Sequence, residues 1–245
     1  MKLGIITIVA LFSLACWKPT QPQQSMPSQK IKIEIWSDVV CPFCYLGKKK
    51  LEQAISHLQA EDQVEIVWHS FQLDPGFPKG ISMPSQQYLA ERKGYPLDQL
   101  QAVSAQLAQQ GRGYGIDFQF DKALTFNTWD AHRLIQWAKP QGQATALKEA
   151  LMRSYFSGSK DLSDHQNLLK VVAELGLDAS QAKAVLQGDA FNEQVQQDIN
   201  RSRQLGIQGV PFFLIDGKKA ISGAQPDAVF QQALSEALKG EGVRD

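Results

Sequence analysis

Apolar and polar positions alternate along residues 31–36, with Ile31, Ile33 and Ile35 on one side and Lys32, Glu34 and Trp36 on the other. A period of two predicts a first strand. The spacing then changes, and residues 42–59 read as a helix, with Pro42 in the first turn where its missing N–H is no loss. Residues 64–71 return to alternation and predict a second strand, ended by Leu73-Asp74-Pro75.

From about Pro84 to Leu205 the pattern is helical and interrupted by glycines. It predicts helices at residues 85–92, 97–110, 128–139, 143–155, 164–175, 179–186 and 190–205, and no strand among them. Ser163 is expected as an N-cap, and Gly176 and Gly206 as residues that follow helix C-termini. Alternation resumes at residues 210–215. Asp216-Gly217 is a two-residue hairpin signal, residues 218–222 form the returning strand, and a last helix covers residues 226–238. The expected organisation is α/β, with residues 30–83 and 206–240 forming one domain and residues 84–205 a helical insert.

The N-terminus has a different character. Residues 1–16 hold Lys2, an apolar run from Leu3 to Leu14, and then Ala15-Cys16, which is too short for a comfortable membrane span and reads as a signal peptide. Ser13-Leu14-Ala15-Cys16 resembles a bacterial lipoprotein signal, except that the pattern usually has Leu where this chain has Ser13. The resemblance implies a lipid on Cys16, with ordinary cleavage or a retained anchor as alternatives that also export the protein. The expected location is therefore the periplasm, anchored to a membrane by lipid. Residues 17–29, rich in Pro, Gln and Ser, cannot bury enough apolar surface to fold and are expected to be a tether.

Composition narrows the partners. The 245 residues carry 25 basic and 25 acidic side chains and are 43% hydrophobic, as in an ordinary globular protein. Balanced charge gives no basic footprint for nucleic acid, so none is expected as a partner.

The candidate chemistry lies at Cys41-Pro42-Phe43-Cys44, after the first strand and at the start of a helix. A cysteine there faces unpaired backbone N–H groups and the positive end of the helix dipole, which favour a thiolate and make Cys41 the expected nucleophile. Cys44 follows one turn deeper, within reach of a disulfide. Zinc needs about four ligands, whereas no second cysteine pair exists and His57, His69, His132 and His165 are scattered, so no metal is expected. A purely structural disulfide closing so short a loop would add little stability.

Four strings carry a family resemblance: the run from Ser37 to Gly47, Phe71-Gln72-Leu73-Asp74-Pro75, the run from Asn127 to Leu134, and Val210 to Ile215 leading to Ile221 to Pro226. Their order and the position of the cysteines resemble the DsbA group of thioredoxin-fold oxidoreductases, and the strings look closer still to its FrnE-like branch. The resemblance implies a thioredoxin fold with a large inserted helical domain, and protein disulfide oxidoreductase or isomerase activity. It implies no cofactor beyond a redox-active Cys41–Cys44 disulfide, and as partners dithiol or disulfide-containing proteins and a redox partner protein. Because only a tether precedes the first strand, a monomer is expected.

Single residues acquire roles by the same resemblance. Pro211 would be cis and lie against the cysteines, with the Val210 backbone pairing with substrate; otherwise Pro211 simply starts an edge strand. Pro42 and Phe43, the latter where the branch commonly has Trp, would tune the redox poise, and Phe43 should be exposed. Glu34 would be a buried carboxylate beneath the disulfide, although it stands one position farther from Cys41 than is usual; Asp38 is the alternative acid, its plainer reading being a turn residue. His132 would line the cleft near Cys41. The competing reading is a glutathione-dependent transferase or isomerase of the kappa-class or hydroxychromene-carboxylate isomerase type, relatives that typically carry Ser in place of Cys41 and lack the second cysteine.

Overall fold

Residues 30–240 of the chain are described in a computed structural model. The expected signal peptide, the lipid site at Cys16 and the tether lie outside the described residues. Strand β1 (Ile31–Ser37) leads into helix α1 (Pro42–His57) and then strand β2 (Val64–Ser70). Next come β3 (Ser82–Pro84), α2 (Ser85–Lys93), α3 (Leu97–Gly113), β4 (Leu124–Phe126), α4 (Trp129–Ala138), α5 (Ala144–Phe156), α6 (His165–Glu174), α7 (Ala179–Gln187) and α8 (Asn192–Gln204). The chain closes with β5 (Phe212–Ile215), β6 (Lys219–Ser222) and α9 (Asp227–Leu238).

The main sheet has the order β2-β1-β5-β6, with β1 parallel to β2 and antiparallel to β5. This is the α/β architecture that the pattern of alternation predicts. Successive residues of β1 face opposite sides of the sheet. Ile33 and Ile35 join the apolar core with Leu51, Ala54, Phe213 and Phe230, whereas Trp36 stacks on His69 at 4.3 Å between ring centroids and its indole N–H donates to the Asp198 carbonyl of α8. Helices α1 and α9 thus cover one face and α8 the other. The hairpin between β5 and β6 turns at Asp216 and Gly217, both with positive φ (52° and 68°), which matches the right-handed twist of the flanking strands. Gly176 and Gly206 also adopt positive φ after α6 and α8.

Two local expectations are corrected. The segment between the halves of the sheet is not all helix, because β3 and β4 pair antiparallel through Ser82–Phe126, Met83–Thr125 and Pro84–Leu124. Three-residue strands are too short for a period of two to show. The N-cap of α6 is Asp164, not Ser163: the Asp164 carboxylate accepts from the Gln166 backbone N–H at 2.8 Å.

The inserted helices share the core of the sheet, which continues from Ile35 and Tyr45 through Phe118 and Phe156 to Leu147, Leu151 and Val171. A polar clasp fixes α5 against α1. Glu149 of α5 accepts from Tyr45 Oη at 2.8 Å and pairs with Lys48 at 2.5 Å and Lys49 at 2.8 Å, so its carboxyl is held below the usual range against the opposing effect of burial. That clasp sets the neighbouring Lys148 in position beneath the start of α1.

Candidate active site

Cys41 is the residue from which α1 departs, with extended backbone (φ −89°, ψ 112°), and its carbonyl accepts the Cys44 and Tyr45 backbone N–H groups at 3.1 and 3.3 Å. Both thiols are reduced and buried, Cys41 at 3% exposure and Cys44 at 1%. Between them Phe43 is 45% exposed, so the surface beside the sulfurs is an aromatic ring in solvent. Pro42 fills the first turn.

The strand β5 side of the site is built by close approach. The Val210–Pro211 peptide is cis, and Cys41 Sγ lies 3.5 Å from the Val210 carbonyl, to which it donates. Gly47 allows this contact, because a Cβ there would lie 3.1 Å from both Pro211 Cγ and Phe213 Cζ. Val210 is half-buried beside Cys41, with its backbone at the sulfur.

Beneath the cysteines lies a buried polar group centred on Asp38. Its carboxylate accepts the Val39 and Leu73 backbone N–H groups, each at 2.8 Å, and faces His132 Nε2 at 3.2 Å. Burial opposes the charge, but the His132 bond and the Leu73 N–H outweigh it and hold the carboxyl below its ordinary value. Burial in turn pushes the His132 imidazole down. The arrangement that fits is therefore a carboxylate accepting from a neutral Nε2–H tautomer, which leaves Nδ1 as a bare acceptor; Nδ1 is buried and unpartnered.

Ser37, the last residue of β1, and Lys148 complete the group. The Ser37 hydroxyl has no nitrogen or oxygen partner and faces Cys44. Lys148 on α5 is 1% exposed, donates to the Ser37 carbonyl at 3.2 Å and sits 5.8 Å from the centre of the Trp68 ring. Among the described residues no carboxylate lies within ion-pairing distance of it. Burial pushes its amine down to about 8, against the charges of Cys44, Asp38 and Cys41 that favour the ammonium.

The partner sulfur and burial act on the acidity that helix position favours at Cys41. The hydrogen bond to Cys44, burial and the charge on Cys44 push the Cys41 thiol well up. Burial also penalises the Cys44 thiolate, yet the neighbouring Cys41 side chain, the Lys148 ammonium, the Ser37 hydroxyl and the Asp38 backbone together bring Cys44 below the ordinary thiol value. The two sulfurs titrate as a pair.

Two expected site residues stand elsewhere. Glu34 is not beneath the sulfurs. Its parity on β1 turns it to the α8 face, where it accepts from His69 Nε2 at 3.0 Å and pairs with Lys32 at 3.5 Å, while His69 Nδ1 meets Asp198 at 2.5 Å. The acid under the cysteines is Asp38. His132 does not line a cleft, since it has no exposed surface and supports the site from below through Asp38. Ser37 and Lys148 were not anticipated. Lys148 did leave a signal, because Ala144, Leu151, Met152 and Tyr155, its neighbours on the same helical stripe, are all apolar and buried, which is an unusual setting for a lysine.

With this geometry in place, comparison with known proteins identifies relatives. The profile of the DSBA-like thioredoxin domain matches residues 32–235. YwbO of Bacillus subtilis, an uncharacterized protein, is 27% identical over 214 residues, 85% of this chain and 98% of its own length. The crystal structure of a probable DsbA oxidoreductase from Streptomyces coelicolor superposes with a TM-score of 0.82 at 37% identity, covering 85% of this chain and 90% of that one. A 2-hydroxychromene-2-carboxylate isomerase shares the fold, with a TM-score of 0.67 at 16% identity over 86% of this chain and 97% of its own.

Proposed function

This chain belongs to the DSBA-like thioredoxin domain family, and on that footing we propose that it is an exported thiol-disulfide oxidoreductase in which Cys41 exchanges with substrate and Cys44 closes the disulfide. The observation that supports this most directly is the pairing of two different sulfurs. Cys41 lies beside the Val210 carbonyl and the exposed Phe43, while Cys44 lies inward among groups that stabilise its thiolate.

That asymmetry suits oxidation of substrate dithiols. A substrate thiolate attacks Cys41 Sγ, the Cys41–Cys44 bond breaks, and Cys44 leaves as the stabilised thiolate; exchange is faster when the leaving sulfur is the more acidic one. The second substrate thiolate then attacks the substrate sulfur of the mixed disulfide. Cys41 leaves, takes a proton, and the substrate departs with its own disulfide. Two electrons have passed from substrate to enzyme. During the mixed disulfide the Val210 backbone and the Phe43 ring receive the substrate chain, whose apolar side chains would cover the exposed aromatic. A separate redox partner protein would reoxidise the pair, and the disulfide itself serves as the only redox group.

The expected result is that the oxidised protein converts a dithiol peptide to its disulfide faster than it reactivates scrambled ribonuclease, and that it does not conjugate glutathione to a chlorinated aromatic. Glutathione conjugation without dithiol oxidation would establish the transferase reading instead. Export rests on residues 1–16 and is tested separately. Cys16→Ser in the full chain is expected to move the protein from the detergent phase to the aqueous phase, and unchanged partitioning would overturn the lipid anchor.

A further inference from the structure

We propose that Lys50, on the helix that carries the cysteines, is a positioning residue for the substrate chain: it holds the turn behind Pro211 so that the Val210 backbone is presented at a fixed separation from Cys41. The inference rests on the oxidoreductase reading and deepens it by assigning what builds the substrate-receiving side of the site.

Lys50 puts a charge where no opposite charge meets it. The residue is buried, and among the described residues no carboxylate lies within ion-pairing distance of it, whereas Lys48 on the same helix pairs with Glu52 and Glu149. Replacing a buried ion by an apolar side chain is often neutral or stabilising, so stability does not account for Lys50. Its ammonium donates to the Ala224 carbonyl at 3.3 Å and to the Gln225 carbonyl at 3.1 Å, and it lies 5.8 Å from the centre of the Tyr114 ring. Both carbonyls belong to the turn between β6 and α9, and the N-terminus of a helix disfavours a cation. Asp227 in the first turn of α9 offsets that repulsion. It is itself fixed by the Tyr114 hydroxyl, which lies 2.6 and 2.7 Å from its two oxygens and donates to the carboxylate.

The turn that Lys50 holds is the one that backs Pro211. Gly223, at φ 79°, donates its N–H to the Pro211 carbonyl at 2.8 Å, and Gln225 Nε2 closes the turn on the Ser222 carbonyl at 2.7 Å. Gly47 and Lys50 stand three residues apart on α1 and so share a face. At Gly47 the helix meets Pro211 directly, since a Cβ there would lie 3.1 Å from Pro211 Cγ; one turn later Lys50 binds the residues that follow Gly223. The cysteine helix therefore holds this loop at two successive turns, by close packing and by charge-assisted hydrogen bonds. The consequence falls on Val210, whose carbonyl lies 3.5 Å from Cys41 Sγ. A substrate that binds as an extended chain needs the Val210 backbone in register beside the sulfur, whereas a small dithiol needs only the sulfur. Lys50 thus acts on the binding of chains and leaves the exchange chemistry alone.

The test compares the oxidised wild-type full chain with Lys50→Met, Lys50→Gln and Lys50→Arg in the oxidation of two substrates, a dithiol peptide and dithiothreitol. Met removes the charge and fills the space, a replacement that buried ions often tolerate. Gln is also neutral but polar, and keeps the comparison available where Met does not fold. Both neutral variants are expected to raise KM for the peptide about tenfold, the scale of one or two hydrogen bonds. The peptide kcat and the rate with dithiothreitol should stay within about twofold of wild type, the pattern of lost binding rather than lost chemistry. Arg, whose fork of donors can serve two carbonyls, is expected to restore most of the peptide KM. A parallel loss toward dithiothreitol, or an unchanged peptide KM in a folded neutral variant, would overturn the assignment of Lys50 alone. A wild-type protein that oxidises neither substrate would overturn the oxidoreductase reading and this inference with it.

Discussion

Cys41→Ser is expected to abolish dithiol oxidation, with a loss on the order of a thousandfold or more, the scale at which removal of a nucleophile leaves only binding and orientation. Cys44→Ser is expected to do something different. The inward sulfur is then missing, so among the described residues no second thiol can attack a Cys41–substrate disulfide, and mixed disulfides with client proteins should accumulate on non-reducing gels. The two outcomes follow from position more than from acidity. Cys44 is enclosed by Ser37, Asp38 and Lys148, whereas Cys41 stands at the Val210 carbonyl next to the exposed Phe43 ring. Alkylation by a small reagent should accordingly modify Cys41 first. If Cys44 were the residue modified first, or if Cys44→Ser failed to trap substrate while Cys41→Ser did, the roles would be reversed.

Asp38→Ala is expected to cost about 3–5 kcal/mol of stability in chemical denaturation, because it leaves three buried hydrogen-bond donors unpaired at about 1–3 kcal/mol each. Its carboxylate is wholly buried and satisfies the Val39 N–H, the Leu73 N–H and His132 Nε2 at once. Alanine leaves all three donors without partners, and the Leu73 segment loses its tie to the turn that carries the cysteines. Asp38→Asn should cost less, since its amide oxygen can still accept. The pH dependence has a definite sign. The folded carboxyl titrates below its unfolded value, so its stabilisation is present in full above the unfolded value and is lost as pH falls through the folded one. The difference between wild type and Asp38→Asn should therefore be largest near neutrality and shrink in acid. A penalty that is small at neutral pH, or that grows on acidification, would show that Asp38 is not an ionised hub.

The 2-hydroxychromene-2-carboxylate isomerase shares the fold at 16% identity, which speaks for the scaffold only. What separates the oxidoreductase and transferase readings is chemistry at Cys41 and Cys44, which the cysteine variants measure directly.

Much of this molecule can be read locally. Alternation at residues 31–36, the helical spacing after Pro42, and Asp216-Gly217 between two apolar runs are each decided within a few residues, because strand period, first-turn proline and positive-φ turn chemistry act at short range. The placement of Cys41-Pro42-Phe43-Cys44 at a helix start, and of Pro211 before an apolar strand, is legible for the same reason. What surrounds the sulfurs is not. Asp38 resembles an ordinary turn aspartate until Leu73 and His132 close on it, the latter 94 residues away, and Lys148 reaches the Ser37 carbonyl across 111 residues. Glu34 shows the converse, since the alternation that identifies its strand also turns it toward His69 and away from the cysteines. Local pattern determines which elements form and which way each side chain leaves the backbone. Only the docking of α4 and α5 onto β1 and α1 brings an imidazole and an ammonium under Cys44, because burial and electrostatic coupling arise between elements and have no period in the chain.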